Sequence, residues 1–179
     1  MTSYRVVVPP GWILLPVRDR TDAEIRELIV ERYRDLPRDS AGPHISRLAD
    51  AIVAAARTAR SAQVVDIILP LGTPWRAPVS ASIALAVGSD AATPPGAQIE
   101  TEAGVAWREE PPIVRADSDL STRRRITYQW RIPGLESGLL VGTASIVGPG
   151  DAELIPIVDA VADLCDAILA TVRWATEED

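Results

Sequence analysis

Arg124-Arg125-Ile126-Thr127-Tyr128-Gln129-Trp130-Arg131-Ile132 alternates without a break. Ile126, Tyr128, Trp130 and Ile132 share one parity, while Arg125, Thr127, Gln129 and Arg131 share the other. Successive side chains of a strand point to opposite faces, so the run predicts a half-buried antiparallel strand with one apolar face and one polar face. Working toward the C-terminus, Pro133-Gly134 and Ser137-Gly138 mark a turn, and Leu139 to Val147 reads as a further strand stopped by Gly148-Pro149-Gly150. Asp151 is expected to cap a long last helix. Its apolar face would hold Leu154, Ile155, Val158, Val161, Cys165, Ile168, Leu169 and Val172, with Asp159, Asp163 and Asp166 on the opposite side.

Toward the N-terminus, Val64 to Leu71, Ala81 to Val87 and Ala97 to Trp107 read as strands. The last two are expected to form a hairpin across Thr93-Pro94-Pro95-Gly96. Thr21-Asp22-Ala23-Glu24 has the pattern of a capping box, followed by Ile25, Leu28, Ile29, Tyr33 and Leu36 at helical spacing until Pro37. A second helix is expected from near Pro43 to near Arg60, with Ile45, Leu48, Ile52 and Ala56 inward. Tyr4 to Val8 and Trp12 to Val17 flank the Pro9-Pro10-Gly11 turn signal as two short strands. This order predicts a single α+β domain over 1–179, not a doubly wound one: a central antiparallel sheet of about six or seven strands with two N-terminal helices and one long C-terminal helix packed on it.

The 179 residues suit one domain with one sizeable core. All 18 basic residues are arginine, with no lysine, asparagine or phenylalanine, as a GC-rich coding sequence produces. The net charge is -7, and residues 1–60 carry ten arginines against eight acids while 61–179 carry eight against seventeen. An acidic surface argues against a nucleic acid partner. A single cysteine excludes an internal disulfide and multi-cysteine zinc sites, and a single histidine excludes most paired-histidine metal sites. The first ten residues lack a basic segment followed by a long apolar run. No run reaches the roughly 18 to 20 apolar residues that span a bilayer, so a cytoplasmic location is expected.

The Pro9-Pro10-Gly11-Trp12 turn, the run Ile126-Thr127-Tyr128-Gln129-Trp130, the apolar strand 139–147 and the closing Val172-Arg173-Trp174 resemble uncharacterised actinobacterial proteins. Those in turn resemble the PsbP, LpqN and Ran-binding Mog-type group, an α-β-α sandwich on an antiparallel sheet. The resemblance implies a binding or accessory protein, in some actinobacterial cases associated with a specialised secretion system, and carries no catalytic motif. LpqN-like members are lipoproteins; this chain departs from them in lacking their signal and anchor pattern.

No catalytic, cofactor or metal residue is assigned. His44 has no evident partner, Cys165 falls on an apolar helix stripe where a thiol is inert, and one straight strip of Asp159, Asp163 and Asp166 does not supply the bent, many-donor shell of an oxygen-ligand site and is expected to be a solvated helix face. The glycines at 138, 142, 148 and 150 lack phosphate-loop spacing. Arg123-Arg124-Arg125 is the basic triplet, and Arg125 and Arg131 share the polar face, where guanidinium forks could pair an acidic partner. Trp12, Trp75 and Trp107 fall at strand ends or loops, where tryptophan either anchors a partner or fills a core that has no phenylalanine.

Two function classes follow. The first is a non-enzymatic protein-interaction module using Arg125, Arg131, Trp75 and Trp107. The alternative is a small-molecule binder or enzyme with a pocket between sheet and helices, using Arg125, Arg131 or His44. A flat patch rimmed by arginine favours the first, and a pocket of roughly 300 Å³ or more in which those groups converge favours the second.

Overall fold

The computed structural model describes residues 3–71, 78–89, 94–112, 114–116 and 121–175. In chain order the elements are β1 (Tyr4–Arg5), β2 (Trp12–Pro16), α1 (Asp22–Arg32), α2 (Arg38–Ser61), β3 (Val64–Pro70), β4 (Ser80–Ser89) and β5 (Ala97–Thr101). They continue with β6 (Gly104–Glu109), β7 (Val114–Ala116), β8 (Ser121–Arg131), β9 (Gly138–Pro149), α3 (Ile155–Ala170) and β10 (Arg173–Trp174). The main sheet is wholly antiparallel in the order β2-β3-β4-β9-β8-β6-β5, with β7 paired to the start of β8. β1 and β10 form a separate two-stranded ribbon. The α+β class with two N-terminal helices and one C-terminal helix is as expected.

Two apolar layers hold the sheet between helices. On one face, Ile83, Leu85, Ile126, Tyr128, Trp130, Leu140, Ala144 and Ile146 pack under α3 with Val158, Val161, Cys165, Ile168 and Leu169. Trp12 belongs to this core, which makes it filler. On the other face, α1 and α2 cover Leu15, Val17 and Ile67 of the β2–β3 side with Ile25, Ile29, Ala49, Ile52, Val53 and Ala56. The capping box of α1 is formed: the Thr21 hydroxyl accepts from the Glu24 amide, and the Glu24 carboxylate accepts from the Thr21 amide at 2.6 Å. Arg60 ties the end of α2 to the β2–α1 connection through the carbonyls of Val17 and Arg20 at 2.6 and 2.7 Å.

Several expectations are corrected. The stretch 97–107 is not one strand paired to β4. It folds on itself as the β5–β6 hairpin, Thr101 opposite Gly104, and lies on the far side of β9 and β8 from β4. Gly104 takes φ +93°, a conformation that a side chain strongly disfavours, and so permits the tight reversal after Glu102-Ala103. The second helix starts at Arg38, so Pro43 lies inside it and His44 sits past the first turn, exposed. The side chain of Asp151 does not cap α3; its carbonyl accepts from Leu154 and Ile155 in the turn that leads into the helix, and Pro156 occupies the first helical turn.

Candidate functional site

β8 divides the chemistry of the molecule between its two faces. Its even positions turn toward α3, and Arg124 is one of them. A cation on a covered face must be paired, and Arg124 donates to Asp159 Oδ1 at 2.8 Å and to the carboxylate of Glu110. Arg108, opposite Tyr128 in the β6–β8 ladder, donates to Asp166 Oδ1 and to Glu110 Oε2, each at 2.8 Å. The Tyr128 hydroxyl donates to the same Asp166 oxygen at 2.9 Å. Glu110 therefore bridges two guanidiniums, each of which also holds an aspartate of α3. This corrects the expectation of a solvated carboxylate strip: Asp159 and Asp166, two turns apart, are tied to the sheet, and only Asp163 of the three is exposed.

Electrostatically the network is closed. Burial alone would raise the Glu110 carboxyl, but the guanidiniums of Arg124 and Arg108 outweigh it and hold the group below its ordinary range. Hydrogen bonding to Asp166, with Glu110 adding to it, raises Arg108, and burial with the nearby Asp166 charge pushes Tyr128 up to about 12. Glu110 therefore stays a carboxylate and Arg108, Arg124 and Tyr128 stay protonated near neutral pH, as a clasp between α3 and the sheet requires. Cys165 lies under α3, fully buried, with its thiol pushed up to about 12 by burial. No cluster of three or more metal-ligating side chains occurs among the described residues.

The odd positions of β8 point the other way. Because α1 and α2 cover β2 and β3, the outer faces of β4, β9, β8 and β6 carry no helix among the described residues. The cross-strand rows there run Ser82–Ser145–Arg125, Ala84–Thr143–Thr127–Glu109 and Ala86–Val141–Gln129–Trp107. Arg125 is exposed beside Ser145, and Arg131 lies six residues along, its guanidinium carbon 5.8 Å from the centre of the half-buried Trp107 ring. The structure thus brings Arg125, Arg131 and Trp107 onto one face; Trp75 lies outside the described residues. His44 is on α2 and does not line the hollow described below.

At one end of this face the strand beside β8 is interrupted. Five positions separate Glu109 from Val114, whereas four separate their partners Thr127 and Arg123, so the ladder is offset by one residue. Pro111 and Pro112 fall in the offset and have no amide hydrogen to donate, which is why pairing lapses there. The result is a hollow of about 460 Å³ lined by Pro111, Pro112, Arg123, Arg124, Arg125, Ser145, Ile146 and Val147.

Arg108, Glu110 and Tyr128 were not singled out from sequence. The available signal was parity: Arg124 alternates with Ile126 and so had to enter the covered face and find an acid. No known protein family, curated protein or solved structure matches the chain.

Proposed function

We propose that the protein is a non-enzymatic interaction or accessory module whose open sheet face receives an acidic segment of a partner protein. An antiparallel sheet tolerates water on one side, so openness alone identifies nothing. The observation that carries the reading is charge: in a chain of net charge -7, Arg123, Arg125 and Arg131 all occupy the outward parity of β8, among small and hydroxylated neighbours that let a partner approach closely. The Trp107 ring under Arg131 adds a rigid anchor of the kind enriched at interfaces. A PsbP-like sandwich, a cytoplasmic setting and a partner from a specialised secretion system belong to the same reading.

The test is the double charge reversal Arg125→Glu/Arg131→Glu. Both positions lie on a solvated face, where ion pairs contribute about 0 to 1 kcal/mol and the Arg131 ring contact about 0.5 to 1 kcal/mol, so the variant is expected to fold. Crosslinked capture from host lysate should yield a protein joined through an acidic segment to the wild type, weakened by salt and missing from the variant. A partner held equally by both proteins, with the same salt dependence, would refute the reading.

A further inference from the structure

We propose that the hollow at the β6–β7 offset is a binding site for a small organic carboxylate with an apolar body. Its walls supply two unlike surfaces. Pro111, Pro112 and Val147 present apolar side chains, with no side-chain donor for a polar ligand group. Arg125 and the Ser145 hydroxyl, cross-strand neighbours, supply donors at the rim. Arg124 also lines the hollow, but Glu110 and Asp159 already occupy its donors. Arg125 is different: it is exposed, and no described residue bonds or pairs with its guanidinium. A planar fork with vacant donors suits the two oxygens of a carboxylate, and one uncommitted cation above an apolar floor suits a single negative charge on an aliphatic or aromatic body. The volume lies in the lower part of the range that holds small ligands. The hollow also needs the offset itself, because continuous pairing of β6 with β8 would bring a strand against Arg124 and Arg125 and fill it.

This inference goes beyond the partner-face reading and does not rest on it, although Arg125 belongs to both. The experiment is calorimetric titration of the whole protein at pH 7 and low salt with straight-chain carboxylates from butanoate to octanoate and with the matching amides. Binding should strengthen along the carboxylate series and be absent for the amides. Arg125→Gln should weaken it by about tenfold or more, the usual consequence of removing a charged hydrogen-bond partner. Val147→Asp, at a position exposed enough to leave folding intact, should abolish it by placing a like charge in the hollow. Arg47→Gln, on α2, should bind as the wild type does. Equal binding of carboxylates and amides, unchanged affinity in Arg125→Gln, or no heat from any of the carboxylates would each overturn the site. The protein partner is tested apart from these titrations, by the acidic segment recovered in the crosslinked capture, so either reading can fail while the other stands.

Discussion

Asp66 faces the α3 side of β3, opposite Leu85, and accepts a hydrogen bond from the Tyr4 hydroxyl of the β1–β10 ribbon. Burial raises its carboxyl above the ordinary range; the Tyr4 bond opposes the shift, and the Asp19 charge adds to it. A carboxyl raised in the folded state stabilises the fold fully below its unfolded value of 3.8, and that contribution is lost as pH rises through the folded value. Asp66→Asn keeps an acceptor for Tyr4 and removes the buried charge. It is therefore expected to raise the melting temperature at pH 7, with the gain vanishing below pH 3.8; an equal shift at both would contradict the burial argument. None of this was legible in the sequence, where Asp66 is one acid within an apolar strand and Tyr4 lies 62 positions away. Cys165 was legible, because its place on the apolar stripe of α3 already implied burial. With its thiol near 12, it should resist an alkylating reagent for as long as the protein stays folded. Rapid labelling without denaturant would show that α3 opens.

Elements were readable where one local pattern sufficed. The capping box marked the start of α1, strict alternation marked β8, and a broad apolar stripe marked α3. What failed was pairing between elements. Nothing in Glu102-Ala103-Gly104 stands out as a hairpin dipeptide, so the stretch reads as one strand where the chain makes two, and strand order depends on contacts remote in sequence. The same limit hid the clasp. Asp159 and Asp166 looked solvated because their partners, Arg124 and Arg108, come from other strands. The two sides of α3 predict different costs. Leu169 is fully buried and reaches Gly142, where an added Cβ would lie 2.6 Å from its Cδ2. Leu169→Ala should cost about 2 to 5 kcal/mol by chemical denaturation. Arg124→Ala should cost less, about 1 to 3 kcal/mol, because it leaves the partly buried Glu110 with one guanidinium rather than two. Asp159→Ala, at a side chain 45% exposed, should fall within about 1 kcal/mol. A loss at Asp159 as large as that at Arg124 would mean the clasp is carried by α3 and not by Glu110.

At the scale of the whole molecule, composition bounded the partner while saying nothing of the site. The net charge of -7 was legible at once; the alignment of Arg123, Arg125 and Arg131 along one sheet face was not, because it depends on which arginines the fold turns toward α3. Arg57 and Arg60 are taken by Asp22, and Arg108 and Arg124 by Glu110 with the α3 aspartates. On the open face the outward arginines of β8 run from Arg123 to Arg131, a span of roughly 26 Å at the usual rise per residue. Tight duplex binding draws on several phosphate contacts made together, each releasing counterions, and a surface this acidic repels the rest of the duplex. An acidic protein segment needs only a few such contacts and can follow the strand. The protein is therefore expected not to retard a 30-base-pair duplex at micromolar concentration in about 0.15 M salt, where the Debye length is about 8 Å. A retarded band at that salt, lost in Arg125→Glu/Arg131→Glu, would assign the face to nucleic acid. Retardation only at low salt, unchanged by that substitution, would be general electrostatic association and would leave the open face to an acidic protein.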